Sequence, residues 1–258
     1  LTFVSTANVI IHVGAKPVFA DVDKLTGNID PKEIIKKITK KTKAIIPVHL
    51  HGRPCPMDKI TAIAKKHKLF VMEDAAHAAE AWYHGQKIGS ISDMTAFSFY
   101  VTKNIATGEG GMLTTDNSQW AQIVRVRRLH GISADAWKRY SAEGYKPYEA
   151  VYPGYKYNMM DLQASLGIHQ LKRAEANLKI RQKYWQIYDQ AFSKLDGIIP
   201  PAPLEPKTVH AMHLYAINLE LEKLKLDRNQ FIDAMNQANI GCGVHFSALH
   251  THKYYRET

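Results

Sequence analysis

The sequence predicts an α/β protein in which a mostly parallel sheet is flanked by helices and followed by a smaller α+β unit. In the first 115 residues, short β-branched or apolar runs alternate with amphipathic runs of helical period. A proline cluster at 200–206 then marks a boundary, after which strand and helix patterns begin again. We therefore expect a large domain over residues 1–198 and the start of a smaller domain over 199–258.

The elements of the first half follow from local patterns. Helices are predicted over 31–38, where Asp30 is the N-cap and Pro31 the first helical residue, and over 58–67 and 117–129. Strands are predicted over 16–22, 44–50, 69–72, 94–100 and 111–114. The chain starts at Leu1, in what reads as a running strand or loop, so we expect a fragment or a processed form.

The second half begins with a polar connection over 130–157. The longest helix is predicted over 161–195 and is expected to end at the proline cluster. Beyond it we expect a strand over 213–221, a helix over 227–238 capped by Asp227, and a strand over 243–246. The long helix is predicted from apolar residues at helical spacing, namely Leu162, Leu166, Leu171, Leu178, Tyr184 and Ile187.

The chain carries an excess of positive charge. Thirty-four Lys and Arg against 24 Asp and Glu give a formal charge of +10, which favours nucleic acid, an acidic membrane surface or a phosphorylated small molecule as partner. The basic residues are dispersed, and no nucleic-acid-binding motif accompanies them. We therefore expect no nucleic-acid partner.

Cysteine content and hydropathy exclude several other classes. Cys55 and Cys242 are the only cysteines and form no C-x-x-C pattern, which argues against a disulfide scaffold and a cysteine-based zinc module. No apolar run approaches the roughly 18 residues of a membrane helix, and no leader-like segment opens the chain. These features predict a soluble cytoplasmic protein without a membrane partner.

An acidic residue, Asp74, and a histidine, His77, follow the apolar strand predicted over 69–72. In open α/β sheets, ligands bind outside the carboxyl ends of the strands. A carboxylate there can bind a cationic ring nitrogen, a ribose hydroxyl or a metal ion. Alternatively, Asp74 caps the next helix and His77 is a packed or surface histidine. The residues alone leave these alternatives open.

A lysine, Lys103, follows the strand predicted over 94–100 and precedes the glycine-rich run at 108–111. Burial beside closely approaching backbone lowers the pKa of a lysine toward that of a nucleophilic amine; the alternative is a solvated lysine. Together, Asp74, Ser98 and Lys103 offer an acid for a pyridinium, a hydroxyl for a phosphate and an amine for an aldehyde.

Five segments resemble the sugar aminotransferases of the DegT/DnrJ/EryC1/StrS family: TFVSTANVIIHVGAKPVFADVD, PVHLHGRPCPMDKI, EDAAHA, FSFYVTKNIATGEGGM and GYKYNMMDLQASLGIHQL. The resemblance covers essentially all 258 residues. It implies a homodimeric enzyme with pyridoxal 5′-phosphate (PLP) as cofactor and the aspartate aminotransferase fold, the type I fold of PLP-dependent transferases. KNIATGEGGM, PGYKYNM and HFSALHTHKYYRE are most similar to the enzyme that makes UDP-4-amino-4-deoxy-L-arabinose, which implies UDP-4-keto-arabinose as substrate and a role in modifying lipid A or a related surface polysaccharide.

The resemblance assigns roles to five residues. Lys103 is expected to hold the cofactor covalently and to move a proton during the reaction, and Asp74 to keep the pyridine nitrogen protonated. Ser98 is expected to bind the cofactor phosphate and Phe3 to stack on the ring. His77 occupies a position near the O3′ edge of the cofactor, where the family has Gln or His.

Further roles lie later in the chain. Residues 154–159 resemble the segment that crosses a dimer interface to the partner's phosphate, with Lys156 at a position where many relatives have Asn, and with Asn158 two residues on. A tyrosine-rich interface loop is the alternative. His245 resembles a substrate-contacting histidine. His250 and His252 form an H-x-H pair, for which we expect a substrate-contacting or solvated loop rather than a metal site.

The resemblance also defines the expected reaction and two departures from the family. Glutamate would donate the amino group, leaving as 2-oxoglutarate, and a nucleotide-linked keto sugar would receive it in a ping-pong cycle. Glu80 stands where relatives usually have Gly, which is expected to alter the turn beside the cofactor. The family's Gly-Thr-Ala phosphate loop and its final helices would lie outside the given sequence. The alternative function is therefore a non-catalytic dimerising or regulatory module that keeps the fold.

Overall fold

The computed structural model describes residues 1–133 and 149–257. Its helices are α1 (Val4–His12), α2 (Pro31–Lys37), α3 (Met57–His67), α4 (Ser118–Arg127), α5 (Asp161–Phe192), α6 (Arg228–Gln237) and α7 (Lys253–Glu257). Its strands are β1 (Ala44–Ile45), β2 (Phe70–Asp74), β3 (Trp82–Tyr83), β4 (Gln86–Lys87), β5 (Met94–Ser98), β6 (Gly111–Thr114), β7 (Ile198–Ile199) and β8 (Asn218–Leu219). Most of the polar connection predicted over 130–157 lies outside the described residues.

The main sheet has the order β1-β2-β5-β6. β1 and β5 both run parallel to the central β2, whereas β6 is antiparallel to β5. The sheet is therefore mostly parallel with flanking helices, as the sequence predicts. Asp74, the last residue of β2, pairs with Ala96 of β5, so the carboxyl ends of these two strands lie side by side.

A buried apolar cluster joins α2 and α3 to the sheet. Cys55, Met57 and Ile60 have no exposed surface, and Val71 of β2 packs in the same cluster. Ala211, far along the chain, belongs to it as well. The segment around Ala211 therefore packs into the first unit of the chain.

Several predicted elements are confirmed with small shifts of their ends. α2 begins at Pro31 with the side chain of Asp30 accepting a hydrogen bond from Lys32 N, as an N-cap does. Asn117 caps α4 and Asp227 caps α6 in the same way. The strand predicted over 44–50 is shortened to β1 because Pro47 has no N–H to donate, although Val48 still forms a bridge to Asp74.

Three predicted strands and the opening of the chain differ. Residues 16–22 are largely exposed and form only the bridge from Val22 to Ile29, and 243–246 form no strand in the described chain. The strand predicted over 213–221 is reduced to β8, since His213 N and Leu214 N donate to His51 O instead. The chain opens with helix α1 rather than a strand or loop, despite its β-branched residues.

The long helix α5 exposes most of the apolar residues that predict it. Only Ala174 and Leu178 are buried. The helix ends at Phe192, so the proline cluster does not terminate it. The helical spacing is confirmed. Of the six apolar residues that predict the helix, Leu178 is buried, and the other five are exposed on the described chain: Leu162, Leu166, Leu171, Tyr184 and Ile187.

Candidate active site

Asp74 lies at the carboxyl end of β2 with both carboxylate oxygens hydrogen-bonded. Ala76 N donates to Oδ1 at 3.1 Å, and the Thr6 hydroxyl donates to Oδ2 at 2.7 Å. The Thr6 oxygen lies 2.7 Å from the Thr2 hydroxyl, which donates to it because the Thr6 proton is used on Asp74. Each carboxylate oxygen keeps a free lone pair, so Asp74 can accept one further hydrogen bond from a cationic N–H.

A buried pair directly behind Asp74 fixes the end of this strand. Glu73 and His49 have no exposed side-chain surface, and His49 Nε2 lies 2.7 Å from Glu73 Oε2. His49 Nδ1 accepts from Cys55 N, so Nε2 carries the proton and donates to Glu73. Burial opposes ionisation of Glu73, but the hydrogen bonds from His49, Ser92 and Thr95 outweigh it, and its pKa lies below the usual value.

Lys103 follows β5 on a loop beside Asp74. Its side chain is about half-buried, and this burial lowers its pKa, while the Asp74 carboxylate acts in the opposite direction. The two charges therefore interact across one site, although 29 positions separate the residues in sequence. A lowered pKa increases the fraction of neutral, nucleophilic amine.

A tight loop returns the chain from Lys103 to β6. Thr107 N donates to Phe99 O, and Phe99 N donates to Gly110 O. At Gly110, where φ is +153°, a Cβ atom would lie 2.6 Å from Thr107 Oγ1. This close approach requires glycine at that position, so the glycine-rich run shapes the loop that carries Lys103.

Three histidines, His77, His213 and His245, lie close enough to Lys103 for its charge to lower their pKa values. His77 is buried, and its Nδ1 accepts a hydrogen bond from His51 N. Its ring stacks on that of His213, with centroids 4.4 Å apart. Burial, together with the charges of His213, Lys103, His51 and His245, lowers the pKa of His77 to about 2. His77 is therefore neutral and adjoins the lysine.

Phe3 and Ser98 are the candidates for stacking on the cofactor ring and for binding its phosphate. Phe3 immediately precedes α1, the helix that carries Thr6, and its ring lies 5.7 Å from that of Phe246, which in turn lies 6.1 Å from His77. Ser98 ends β5 and accepts a hydrogen bond from Tyr100 N at 3.3 Å. Phe3 is thus linked to His77 through the ring of Phe246, whereas Ser98 is placed only by its position at the end of β5, beside β2.

His245 also reaches the cluster. Its carbonyl oxygen accepts a hydrogen bond from His51 Nε2 at 3.0 Å. Burial and the charge of Lys103 lower the pKa of His245. The chain thus brings together Asp74, Lys103, His77 and His245 from three separate segments.

The remaining candidates lie elsewhere in this single chain. Lys156 donates to Asn158 Oδ1 at 2.6 Å, and no contact joins either of them to Lys103 or Asp74 within the described residues. His250 is exposed in a short 3-10 helix at Leu249–Thr251. Among residues 1–133 and 149–257, no group of three or more His, Cys, Asp or Glu is arranged to hold a metal ion.

Glu80 is buried and forms an ion pair instead of merely changing a turn. Its Oε1 accepts from Arg181 Nη2 at 2.5 Å, and its Oε2 accepts from Asn104 Nδ2 at 3.0 Å. Arg181 lies on α5, and Asn104 is the residue after Lys103. Glu80 therefore joins the long helix to the loop that carries the lysine.

Three residues near the site, Thr6, His213 and Asn104, were not predicted from the sequence. Thr6 and His213 are far from Asp74 and Lys103 in sequence and belong to no recognisable spacing, so only the fold identifies them. Asn104 does have a signal, because it directly follows the predicted lysine.

The residues around Asp74 and Lys103 fit PLP. They supply an amine of lowered pKa, a carboxylate that can accept a further hydrogen bond, and a loop that a glycine allows to fold tightly.

None of the helices in the described part of the chain is both long and apolar enough to cross a membrane.

The chain that carries this site matches a known protein family along its whole length. The model of the DegT/DnrJ/EryC1/StrS aminotransferase family matches residues 1–258.

Individual proteins agree with this match. The spore coat polysaccharide biosynthesis protein SpsC of Bacillus subtilis is 51% identical over 258 residues, which is 100% of this chain and 66% of SpsC. The proposed sugar aminotransferase Spr1654 of Streptococcus pneumoniae, in its PMP form, superposes with a TM-score of 0.90 at 33% identity, covering 100% of this chain and 69% of that one. Spr1654 has also been solved in a PLP form. DesI, solved in the presence of its TDP-sugar product, gives 0.86 at 27% identity, covering 100% and 62%.

The chain spans about two thirds (66%) of the length of the curated relative SpsC. The fold is that of the PLP-dependent aminotransferases, and PLP is the family's cofactor. The family match over every residue and the high structural similarity agree with the geometry around Asp74 and Lys103. This chain belongs to the DegT/DnrJ/EryC1/StrS aminotransferase family.

Proposed function

We propose that this chain carries the active site of a PLP-dependent aminotransferase that transfers the amino group of glutamate to a nucleotide-linked keto sugar. The observation that carries the proposal is the electrostatic proximity of Lys103, an amine of lowered pKa, to the Asp74 carboxylate at a strand end. The TDP-sugar product of DesI supports a nucleotide sugar as the substrate class. The formal charge of +10 suits such an anion.

Lys103 and Asp74 have distinct proposed roles. When bound, PLP supplies an electron sink for the carbon that loses its proton. Asp74 would accept a hydrogen bond from the protonated ring nitrogen through its free lone pair, while Thr6 and Ala76 N hold the carboxylate in place. Lys103 Nζ would hold the cofactor, remove the proton from the amino-bearing carbon of glutamate and return a proton to the sugar carbon.

We propose roles for the other predicted residues as well. Ser98 would bind the cofactor phosphate, His77 would contact the O3′ edge, and Phe3 would stack on the ring. Lys156 and Asn158 would reach the phosphate of a second subunit, which agrees with their lack of contact to the cluster of their own chain. His245 and His250 would contact the nucleotide sugar.

We further propose a homodimer with shared active sites. The exposed apolar face of α5 and the exposed Tyr155 and Tyr157 support it, because such a surface on a soluble protein marks an interaction site. A reducing, cytoplasmic location agrees with the free thiols of Cys55 and Cys242. We also propose, as predicted from the sequence, that the chain divides into a large domain over residues 1–198 and the start of a smaller domain over 199–258.

Covalent trapping tests the role of Lys103. Borohydride reduction of the protein loaded with PLP should attach the cofactor irreversibly to Lys103, as peptide mass spectrometry reports. Lys103→Ala should lose both the adduct and the visible absorbance of the bound cofactor. Lys65→Ala, at an exposed lysine of α3, should retain both. Adduct on another lysine would overturn the assignment, and no cofactor binding at all would favour the non-catalytic module.

A substrate panel tests the acceptor. Glutamate-dependent amination should be measured over UDP- and TDP-linked keto sugars, including UDP-4-keto-arabinose, which the sequence resemblance favours. Activity on that sugar would support a role in lipid A modification or a related surface polysaccharide. Activity on another keto sugar of the panel would support the proposed aminotransferase activity and would change only the identity of the acceptor sugar.

A further inference from the structure

The side-chain amide of Asn104 has its orientation fixed by three partners. Its Nδ2 donates to Glu80 Oε2 and to Ala211 O, both at 3.0 Å. An NH₂ group has only two protons to donate, and both are used here. The amide oxygen Oδ1 is therefore the atom that faces His213 Nδ1, at 2.9 Å.

The reverse orientation of this amide is disfavoured by the surrounding groups. Turning it would place the amide oxygen against the Glu80 carboxylate and the Ala211 carbonyl, so that oxygens would face oxygens. Glu80 is 1% exposed and is held by Arg181 Nη2, while Arg181 Nε donates to Ala211 O at 3.3 Å. Two acceptors fixed in this way leave Asn104 one orientation.

This orientation determines where the proton of His213 lies. An amide oxygen only accepts, so His213 Nδ1 must donate and must carry the proton. Burial, with the charges of Lys103, His245, His51 and Arg181, lowers the pKa of His213 to about 3, so the ring is neutral at pH 7. The other ring nitrogen, Nε2, therefore has an unshared electron pair.

The Nε2 atom of His213 is available to a ligand. No hydrogen bond joins it to another group in the described residues, and the side chain is partly exposed. The ring stacks on His77, and its charge state is coupled to Lys103. A neutral acceptor thus lies beside the amine at the centre of the site.

We propose that His213 is a substrate-binding residue whose Nε2 accepts a hydrogen bond from a hydroxyl of the keto sugar, and that Asn104 and Glu80 are positioning residues that fix its tautomer. The proposal rests on the proposed function, since it names a contact within that site. A sugar is rich in hydroxyl donors, which match an acceptor. The carboxylates of glutamate have no proton to donate, and its amino group is the one that is transferred to the cofactor, so His213 should serve the sugar half of the cycle and not the donor half.

The tautomer is tested first, without any ligand. Nitrogen-15 NMR of the purified protein near pH 7 should show one histidine with a protonated Nδ1 and an unprotonated Nε2, and His213→Asn should remove its signals. Asn104→Ala should keep the ring but lose the preference for this tautomer, because Nδ1 loses its acceptor. A protonated Nε2 or a cationic ring at His213 in the wild-type protein would overturn the proposal.

Two substitutions then test the contact. Gln places an amide oxygen near the position of histidine Nε2, whereas Asn reaches only as far as Nδ1. His213→Asn should raise the KM for the best keto sugar of the panel by about three- to tenfold, the effect of one lost hydrogen bond, with a smaller change in kcat. His213→Gln should recover most of this loss. His67→Asn, at an exposed histidine of α3, should not differ from wild type.

The half-reaction with glutamate separates the two proposals. With PLP bound, glutamate alone should change the cofactor absorbance at the same rate in wild type and in His213→Asn. A wild-type protein that shows no such change contradicts the proposed function. If wild type reacts normally, an unchanged KM for the sugar in His213→Asn, or equal losses in both half-reactions, would overturn the role of His213 alone.

Discussion

At the scale of single residues, Glu80 shows how one side chain connects distant parts of the site. The sequence marks it as a departure from the family, where glycine is usual. In the structure it links Arg181 of α5 to Asn104, next to Lys103. A glycine could make neither bond, so the long helix and the lysine loop would lose this connection.

Glu80→Ala should destabilise the protein by about 2–3 kcal/mol, because Arg181 and Asn104 lose their hydrogen bonds to a charged, buried partner. Glu175→Ala offers a control on α5, the helix that carries Arg181, since Glu175 pairs with Lys87 at 3.4 Å but is 67% exposed. That control should cost less than about 0.5 kcal/mol. Urea unfolding measures both, and equal losses in the two variants would contradict a structural role for the buried pair.

The candidate site residues differ in how well they can be predicted from sequence. Asp74 and Lys103 could be predicted because each follows an apolar run, and the strand ends of a parallel sheet converge at one edge. His245 and His77 needed the family resemblance as well. Thr6 and His213 could not be predicted, because a hydroxyl or imidazole that reaches the site from a distant segment leaves no local pattern in the sequence.

At the scale of secondary-structure elements, the two predicted helix caps are confirmed, whereas most predicted strands are too long. Asp30 and Asp227 cap their helices through side-chain bonds to backbone N–H groups a few residues on, which is a local interaction. Strands depend on a partner that can be far away in sequence. Residues 16–22 have suitable side chains but pair only at Val22.

The segment at 149–157 depends on two glycines in contact with each other. A Cβ atom on Gly154 would lie 2.0 Å from Gly131 N and 2.7 Å from Arg127 O. Tyr155 N and Tyr157 N donate to the carbonyls of Arg127 and Arg128, which holds the segment against the end of α4. This segment carries Lys156, for which we propose a phosphate contact.

Gly154→Ala should therefore open this segment. Amide hydrogen exchange at Tyr155 and Tyr157 should become about tenfold faster or more, because their bonds to the α4 carbonyls cannot form at the present distance. Gly241→Ala, where no atom lies within 4 Å of the new Cβ, should leave these amides unchanged. Unchanged exchange in Gly154→Ala would show that the backbone accommodates the methyl group.

At the scale of the whole molecule, buried neutral histidines make stability depend on pH. His210 is 3% exposed and packs on Trp185, and its Nδ1 accepts from Met212 N. Burial, with the charges of Arg53, His51 and His213, lowers its pKa to about 3. The unfolded chain takes up this proton near the ordinary value of 6.5, well before the folded chain does.

Stability should consequently fall as the pH decreases from 6.5 toward 3, since the unfolded state binds more protons in that window. His210→Asn keeps an acceptor for Met212 N and removes the titrating group. Its loss of unfolding free energy between about pH 7.5 and 5 should be about 2 kcal/mol smaller than that of wild type, as measured by urea unfolding at each pH. Parallel pH profiles for the two proteins would contradict a neutral His210 in the fold.

The apolar face of α5 is also a property of the whole molecule. Periodicity correctly predicts a helix there, but it cannot say whether an apolar face is covered by the same chain or by another one. In the structure this face is exposed, with Leu162 at 77% and Leu171 at 65%. This exposure is what the proposed homodimer would remove.

The sequence by itself predicted the α/β class, the starts of α2, α5 and α6, and a lysine and a carboxylate at strand ends as candidate site residues, because period, capping and strand-end position are local properties of a chain. The family resemblance added the expected cofactor and reaction. Only the tertiary structure decided that Thr6 holds Asp74, that Glu80 reaches α5, and that Asn104 orients His213. These contacts join segments up to 109 positions apart, and the packing of the core, not any local pattern, brings them within hydrogen-bonding distance.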